Sequence, residues 1–376
     1  MKVAIISRGW WPIIKGGSEK FIYRIAHGLS KKGYETYVVT RESKDLSYDR
    51  SYSFLLVKHK ILLPIVSTFT FSIKAGILVN KLNPDIVIVN NYWADTSLLY
   101  IKKRIKKIAV IHDVGLFRSP LKRGLVNMLR TNTLKMTTRV ADLIVVPTEI
   151  VKQDLIHFLR VDENKIRVLG FEGVDGPFRY DHYDNGEIDI VHVSRYAPNK
   201  GQTLLLRAIE IVANKIKGFN IAIKVHIAGS ITNKKYYNQV VSMAEKINRE
   251  LGQEVVKLLV DIDDKEVEHL YRIADICVAP SIGEEGYGLV ILECMAHGKP
   301  VIASDIFKET GVANEDRAII VQRGNVTELA NAILNFIWNP GRFRAVAEGG
   351  LEFAKRYTWE GVINKFEEYI RELRGS

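Results

Sequence analysis

Short apolar runs alternate with longer amphipathic stretches along most of the 376-residue chain. The first run, KVAIIS, precedes a turn-rich segment and a helical pattern with Phe21, Ile25 and Leu29 on one face. A second strand, YETYVVT, follows, and this strand, helix, strand order indicates a parallel sheet. The same alternation predicts three further buried strands in this half: DIVIVNN (85–91), IAVIHD (108–113) and DLIVVPT (142–148).

A second series of apolar runs begins after a segment rich in Gly, Asp and Tyr near residues 170–188, which predicts a hinge between two domains. The chain length also favours two domains over one core. We therefore predict two doubly wound α/β domains, with a ligand site beyond the carboxyl ends of the strands, in the cleft between the domains. The predicted strands here are IDIVHVS (188–194), IKVHIAG (223–229), VVKLLV (255–260), ICVAP (276–280), KPVIAS (299–304) and RAIIVQ (317–322).

One apolar stretch, from Lys60 to Leu82, is interrupted by Pro64 and Lys74 and is too short between charges to span a bilayer. We predict a core helix here, with an interfacial helix as the alternative. The N-terminus, MKVAIIS, turns polar too soon for a signal peptide, so we expect a cytoplasmic protein.

The net charge of +11 is unevenly distributed. Residues 1–170 carry 29 Lys and Arg against 13 Asp and Glu, whereas residues 171–376 carry 25 against 30. A bias of this size favours an anionic partner for the first half: a membrane, a phosphorylated acceptor or nucleic acid. Its basic blocks include IKKRIKK (101–107) and RSPLKRG (118–124), although a solvated surface would explain either block alone. Cys277 and Cys294 lie among apolar residues, so we expect small buried side chains without a chemical role.

Two glutamates flank a glycine-containing turn in EEGYGLVILE (284–293). Gly286 and Gly288 allow close approach of the backbone, and the helical pattern that follows makes this helix N-terminus a candidate anion site. The six residues from Tyr287 to Glu293 span roughly 9 Å of helix, so Glu285 and Glu293 are well separated, and a nucleotide-sugar would bridge them. Its diphosphate would lie at the helix N-terminus, its sugar at Glu285 and its ribose at Glu293. A capping turn plus a surface glutamate would explain the motif if it stood alone.

Glycines and cations follow two other predicted strands. Arg195 and Lys200 lie in a turn before a helix, where two cations suit a diphosphate leaving group, although an exposed basic loop is the alternative. The lysine precedes its glycine, so the segment is not a P-loop. Gly16 and Gly17 allow backbone amides to approach a phosphate or an acceptor, and their spacing disfavours a nicotinamide dinucleotide.

His112 ends a predicted strand with Asp113 beside it, and its position at the expected cleft favours a hydrogen-bond donor to a sugar or an acceptor. The D-x-D of DIDD precedes a helical pattern, so Asp261, Asp263 and Asp264 are predicted to be helix caps and first-turn acids. No other cluster has metal-ligand spacing, and we expect no obligatory metal.

Taken together, these segments resemble glycosyltransferase family 4, a group of retaining nucleotide-sugar transferases with the GT-B fold. The resemblance covers nearly the whole chain, from KGGSE to YTWEGVINKFEEYI, and its specificity lies in the combination. It implies a fold of two Rossmann-like domains facing across a cleft. Residues 1–172 would bind the acceptor, with a C-terminal helix at 357–376 packed back on them, and residues 173–356 would bind the nucleotide-sugar.

By this resemblance, charged side chains and backbone amides hold the donor, and transfer proceeds with retention, without metal, as the leaving phosphate helps to deprotonate the acceptor. Tyr287 and Val290 stand where the family commonly has Phe and Pro, which removes no charge. The residues implied are Arg195 and Lys200 at the diphosphate, Gly286, Tyr287, Gly288 and Leu289 with their amides, Glu293 at the ribose, Glu285 at the sugar hydroxyls, His112 near the C6 side, and Gly16 and Gly17 over the phosphate.

We therefore expect a hexosyltransferase that uses a UDP-, GDP- or ADP-hexose and no cofactor. The basic half favours an acceptor at an anionic membrane surface, such as a lipid-linked glycan or a phospholipid, at the inner face of the cell membrane. A GT-B nucleotide-sugar epimerase, which needs no acceptor, is the nearest alternative. A nucleic-acid-binding protein would explain the charge but neither the acidic second half nor the glycine turns, so no nucleic-acid partner is expected. The intact charged residues argue against an inactive sugar-binding member.

Overall fold

The computed structural model describes residues 1–14, 17–43, 51–58, 64–90, 93–112, 125–170, 173–179, 187–283, 285 and 288–375. The chain divides into two compact units. Unit 1 consists of Met1–Gly173 together with Trp359–Ser376, and unit 2 is Val174–Thr358. The boundaries predicted from the sequence, after residues 172 and 356, lie within two residues of these positions. The functions assigned to the two domains stay predictions.

Seven parallel strands form one sheet in the described part of unit 1. Their order, β3-β2-β1-β4-β5-β6-β7, reverses direction beside β1, which is the switch point of a doubly wound sheet. The sequence predicts five of these strands and misses β3 and β7, the two edge strands. The strands are β1 (Lys2–Ile6), β2 (Glu35–Arg41), β3 (Ser53–Val57), β4 (Ile86–Asn90), β5 (Lys106–Val110), β6 (Leu143–Val146) and β7 (Ile166–Val168).

Helices cover both faces of this sheet. They are α1 (Gly17–Lys31), α2 (Pro64–Leu82), α3 (Leu125–Val140) and α4 (Glu149–Leu159), with 3-10 turns at Ala94–Tyr100 and Glu163–Lys165. On α1, Phe21, Ile22 and Ile25 are buried in one core cluster, while Phe71 and Val79 of α2 are buried in the other.

Helix α2 has one buried and one exposed apolar face. Phe71, Ala75 and Val79 are fully buried, as a core helix requires. Val66 and Ile77 are 44% and 48% exposed, a face that a core helix would not leave in water. Within the described ranges, no helix combines the length and the apolar character needed to cross a bilayer.

Unit 2 contains a second doubly wound sheet, with six parallel strands among its described residues. All six are predicted by the sequence. In the order β10-β9-β8-β11-β12-β13, the strands are β8 (Ile188–Val193), β9 (Ile223–Gly229), β10 (Val256–Val260), β11 (Ile276–Ala279), β12 (Val301–Ser304) and β13 (Ile319–Val321). The helices are α5 (Gln202–Ile216), α6 (Lys234–Leu251), α7 (Asp264–Ile273), α8 (Leu289–Ala296), α9 (Ile306–Glu309), α10 (Val326–Trp338) and α11 (Arg344–Ala354), with 3-10 turns at Pro198–Lys200, Pro340–Phe343 and Lys355–Tyr357.

The aspartates before α7 are mainly structural. The Asp263 side chain accepts a hydrogen bond from the backbone N–H of Glu266, whose carboxylate accepts one in return, which is a capping box. Asp264 is the first helical residue, so both predictions are confirmed. The prediction for Asp261 is wrong, because this residue lies before the cap, in the turn after β10, with φ of 53°.

The two cysteines of unit 2 are buried and unoxidised, which confirms the expectation of small core side chains. Burial, followed by a hydrogen bond with neighbouring Cys277, raises the pKa of the Cys294 thiol well above its ordinary value. The Cys294 thiol therefore lacks the thiolate character that a reactive cysteine requires.

The last helix, α12 (Trp359–Gly375), belongs to unit 1 and packs against α1. Phe366 and Ile370 are fully buried in the same cluster as Phe21. Glu367 accepts hydrogen bonds from Lys32 Nζ at 2.8 Å and from the Tyr34 hydroxyl at 3.0 Å. These bonds, led by that of Lys32, lower the pKa of Glu367 to about 2.

Candidate functional site

Two loops interlock at the carboxyl ends of neighbouring strands β8 and β11 in unit 2. The Asn199 carbonyl accepts a hydrogen bond from the N–H of Ile282 at 2.9 Å. Gly201 has φ of 78° and lies so close to the Pro280 carbonyl that a Cβ would collide with it. Only glycine fits the left-handed, closely packed position of Gly201. Because Asn199 and Gly201 both contact the loop after β11, Lys200 between them is held at the end of that strand.

Lys200 and Glu285 form an ion pair at this point. Lys200 Nζ donates to both carboxylate oxygens of Glu285 at 2.7 Å, and the Ser281 hydroxyl donates to Oε1 at 2.5 Å. The two side chains are 15% and 7% exposed. A carboxylate has about four acceptor positions and an ammonium three donors, so both groups retain capacity for a ligand. The structure thus brings together two residues that the sequence assigns to different parts of a donor.

Arg195 leaves the same loop, and its side chain is exposed and forms no ion pair with a described residue. Its backbone is fixed by Gln202 Nε2, which donates to the Arg195 carbonyl at 3.0 Å and to the Ser194 hydroxyl at 2.8 Å. Ser194 in turn lies 2.7 Å from Nε2 of buried His192. The guanidinium is therefore a cation available to an anion, on a backbone held from the core.

His192 is the buried end of that network. Its Nδ1 donates to the Val278 carbonyl at 2.8 Å, so Nε2 is the acceptor for the Ser194 hydroxyl. Burial lowers the pKa of His192 to about 4. The ring is neutral at physiological pH, which is the form that this arrangement needs.

Helix α8 begins at a glycine that its surroundings require. Gly288 has φ of 76°, and a Cβ there would lie 2.8 Å from Val312 Cγ1 and 2.9 Å from Phe307. As the N-cap it supplies no side-chain acceptor, and the Ile291 N–H already donates to the Gly288 carbonyl at 2.9 Å, so among the described residues the amides of Leu289 and Val290 are left for another partner. Gly286 and Tyr287 lie outside the described residues, and their predicted amide contacts stay predictions.

Glu293 lies on α8 and is half-buried. The Tyr271 hydroxyl, from α7, donates to Glu293 Oε2 at 2.9 Å. Burial, followed by the charge of Glu293, raises the pKa of Tyr271 well above its ordinary value, so this phenol remains a donor. The carboxylate is thus oriented from inside the unit, which suits a group that binds hydroxyls outside.

His112, in unit 1, belongs to a network at the ends of β1, β4 and β5. The amide nitrogen of Asn90 donates to the Ser7 hydroxyl at 3.3 Å and to the Ser18 carbonyl at 3.2 Å. Its oxygen therefore faces His112 Nε2, at 2.8 Å, and this nitrogen must carry the proton. The His112 ring is thus oriented by Asn90, the last residue of β4.

The other predicted residues of unit 1 are described in part. Gly17 is the exposed first residue of α1, beside Ser18, whereas Gly16 and Asp113 lie outside the described residues. The roles of His112, Gly16 and Gly17 stay predictions. Among the described residues, no group of three or more His, Cys, Asp or Glu is arranged to hold a metal ion, and metal independence stays an expectation.

Sequence reasoning misses several residues that organise these sites. Asn90 is the last residue of β4 and Ser281 lies two residues after β11, so polar residues at strand ends are a signal that could have found them. Tyr271 lies inside a helix, and no local pattern distinguishes it from a core tyrosine.

Solved structures share the fold along the whole chain. Sucrose-phosphate synthase from Thermosynechococcus elongatus aligns with a TM-score of 0.79 and 18% identity, over 100% of this chain and 99% of that one. HepE from Anabaena, in complex with UDP, aligns with a TM-score of 0.76 and 17% identity, over 99% and 100%. These likenesses, with the two parallel sheets, define a GT-B protein with two Rossmann-like domains and confirm the predicted fold class.

Two family models match the chain. Residues 15–170 match the model for Glycosyltransferase Family 4, and residues 187–339 match the model for Glycosyl transferases group 1. Together the two segments cover most of the chain. The protein belongs to glycosyltransferase family 4, as the sequence motifs predict.

Curated relatives carry names from the same family. A phosphatidyl-myo-inositol mannosyltransferase from Mycobacterium leprae is 29% identical over 178 residues, 47% of this chain and 44% of that protein. A D-inositol 3-phosphate glycosyltransferase from Rhodococcus erythropolis is 30% identical over 191 residues, 50% of this chain and 42% of that protein. The matched segments thus span less than half the length of these two relatives.

Proposed function

We propose that this protein is a retaining glycosyltransferase that moves a hexose from a nucleotide-sugar to an acceptor. The observation that carries the proposal is the cluster at the carboxyl ends of β8 and β11, where Arg195 and the Lys200–Glu285 pair share one pair of interlocked loops. Membership of family 4 supports the activity. The UDP named with HepE supports a nucleotide-linked donor.

In this proposal unit 2 binds the donor. Arg195 and Lys200 contact the diphosphate, and the uncapped N-terminus of α8 donates backbone amides to it. Glu285 accepts hydrogen bonds from the sugar, and Glu293, oriented by Tyr271, accepts them from the ribose. All four side chains belong to unit 2, and two of them are fixed by buried partners.

The reaction places negative charge on the leaving diphosphate. The bond from C1 of the sugar to the phosphate oxygen breaks while the acceptor oxygen bonds to C1 on the same face. The acceptor proton passes to the leaving phosphate oxygen. Fixed cations and amides stabilise this developing charge without a metal ion, because they are already oriented before the reaction begins.

The acceptor is assigned to unit 1 and to a membrane surface. Unit 1 carries most of the chain's positive charge, and the exposed face of α2 offers Val66, Ile73 and Ile77 to an interface. The names of the two curated relatives support an acceptor that bears a phosphate. We propose a lipid-linked glycan or a phospholipid at the inner face of the cell membrane, with peripheral attachment of the enzyme.

A thermal-shift screen of UDP-, GDP- and ADP-sugars, with and without Mg²⁺, tests the donor. One nucleotide class at about a hundred times its Kd should stabilise the protein by about 2.7 kcal/mol, independently of Mg²⁺. Glu293→Ala should lose this effect, because it removes the ribose acceptor. Glu245→Ala, an exposed glutamate on α6, is the matched control and should retain it.

Three results would contradict the proposal. No stabilisation by any donor would leave the charged cluster without a ligand. An absolute requirement for Mg²⁺ would contradict the metal-free mechanism. Release of free nucleotide without any acceptor would instead support a nucleotide-sugar epimerase, so the donor identified should next be incubated with lipid-linked and water-soluble acceptors.

A further inference from the structure

A cleft of about 420 Å³ lies at the amino ends of β1, β4 and β5 in unit 1. Asn83 and Asp85 line it from the turn before β4, and Arg104 and Lys106 line it from the basic block that leads into β5. Arg374 lines it from the last turn of α12. The basic block IKKRIKK, which the donor site does not use, therefore contributes to a concave surface.

The cleft has an excess of positive charge. Arg104, Lys106 and Arg374 form no ion pair with a described residue, whereas Lys32 and Arg167 of the same unit pair with glutamates of α12. Asp85 is the single acid of the lining, and its Oδ2 already accepts the backbone N–H of Lys2 at 2.8 Å. The side chains thus carry a net charge of about +2. The cations repel one another, and a bound anion would relieve this repulsion.

The cleft is separate from the candidate active site of unit 1. Lys106 begins β5, and His112 follows the end of the same strand. Six residues of extended chain span about 20 Å, so the cleft and His112 lie at opposite ends of the strand. A ligand in the cleft therefore does not occupy the position predicted for a sugar or an acceptor beside His112.

We propose that this cleft binds the phosphate monoester of a small polar molecule. A phosphate monoester is close to a dianion at neutral pH and matches the net charge, and two guanidinium groups offer bidentate donors to its oxygens. The volume lies within the range of small-molecule sites, so room remains for a hydroxylated body. Asp85 and Asn83 provide acceptors for those hydroxyls. Arg374 also offsets the negative C-terminal end of α12, which would otherwise disfavour an anion.

Calorimetric titration with glucose 6-phosphate tests the proposal, with glucose and with NaCl at equal ionic strength as reference titrations. Arg104→Gln/Arg374→Gln should weaken binding at least about tenfold, because it removes both charge-assisted contacts. Lys102→Gln/Lys103→Gln removes the same charge from exposed residues of the same block that do not line the cleft, and should stay within about twofold of wild type. The proposal fails if glucose 6-phosphate does not bind, or if the control variant weakens binding equally.

A second measurement needs no variant. Acylation of Lys106 in the wild-type protein should slow when glucose 6-phosphate is present, while that of Lys102 and Lys103 should not. Equal protection of all three lysines would contradict a specific site.

Vesicles of anionic phospholipid distinguish a lipid head group from a free phosphate monoester. Glucose 6-phosphate should bind equally well with and without vesicles; if vesicles displace it, the cleft is a head-group site and the proposed ligand is wrong. In the thermal-shift experiment, the nucleotide-sugar should stabilise Arg104→Gln/Arg374→Gln as much as it stabilises wild type. Glucose 6-phosphate binding tests the cleft, and stabilisation by the nucleotide-sugar tests the proposed glycosyltransferase. A negative result in one experiment therefore does not affect the other.

Discussion

At the scale of single residues, the Lys200–Glu285 pair changes the charge that unit 2 presents to a diphosphate. The sequence assigns Lys200 to the diphosphate and Glu285 to the sugar, but their mutual hydrogen bonds largely cancel their charges. Arg195 and the first amides of α8 then supply the remaining positive potential. Glu285 thus also orients the lysine.

Replacing Lys200 alone should destabilise the protein more than replacing both members of the pair. Lys200→Met leaves Glu285 nearly buried without its cation, at a cost on the order of 3 kcal/mol in the free energy of unfolding. Lys200→Met/Glu285→Gln removes the charge and should recover most of this loss, although donor binding should remain impaired. Urea unfolding measures both values.

Lys246→Met provides the control for that experiment. Lys246 pairs with Glu210 at 2.9 Å but is 58% exposed, so its loss should leave the free energy of unfolding close to that of wild type. If Lys200→Met and the double variant have the same free energy of unfolding, Lys200 does not offset the cost of burying the Glu285 charge.

His192 should make folding depend on pH. Its pKa of about 4 in the folded protein lies below the ordinary value of 6.5, so the unfolded state binds the proton more readily. The free energy of unfolding should therefore be constant above about pH 6.5 and fall between pH 6.5 and pH 4, by roughly 2 to 3 kcal/mol at pH 4.5 from this group alone.

His192→Asn isolates that contribution. Asparagine can donate to the Val278 carbonyl and accept from Ser194 but does not titrate. Urea unfolding of both proteins at pH 7 and pH 4.5 should show the smaller loss in the variant. A loss as large as that of wild type would mean that other groups cause the acid sensitivity.

At the scale of elements, the sequence predicts every strand of unit 2 and the five inner strands of unit 1, but misses the two edge strands of unit 1. The strand β4, for example, is buried along its whole length and forms a continuous apolar run, which is a strong signal. The edge strand β3 is largely half-buried, and β7 has three residues, so neither has a distinctive pattern. Burial on both sheet faces gives the strongest pattern, and the partly exposed edge strands β10 and β13 of unit 2 are found because they lie in the apolar runs VVKLLV and RAIIVQ.

Glu367 links α12 to the segment that follows α1. Glu367→Gln removes the charge that accepts from Lys32, Tyr34 and Arg371, and should lower the free energy of unfolding by roughly 1 to 2 kcal/mol at pH 7. Because the pKa of Glu367 is lowered to about 2, this contribution is present above about pH 4.5 and is lost as the pH falls towards 2.

Glu368→Gln is the matched control on the same helix, since it makes the same charge change at an exposed position. It should leave the free energy of unfolding within about 0.5 kcal/mol of wild type. If urea unfolding gives the same value for both variants, the Glu367 cluster does not hold α12.

At the scale of the whole molecule, the fold could be predicted from the sequence, but the site only in part. Apolar runs give two series of strands, and glycine turns with nearby charges give Arg195, Lys200, Glu285 and Glu293. The pairing of Lys200 with Glu285 and the support of Glu293 by Tyr271 depend on side chains 85 and 22 residues apart. No local pattern encodes such contacts, because they form only when the sheet brings separate loops together.

Unit 1 is built from two separate segments of the chain, which affects the order in which the two units fold during translation. Its last helix, carrying Phe366 and Ile370 to the core beside Phe21, is translated only after the 185 residues of Val174–Thr358. At 5–20 residues per second, this takes roughly 10 to 40 s. During that time the nascent unit 1 has an uncovered apolar face on α1, while unit 2 emerges as one uninterrupted segment. Unit 2 can therefore finish folding on the ribosome before unit 1, although its sequence comes second, and unit 1 is a natural client for a chaperone until α12 arrives.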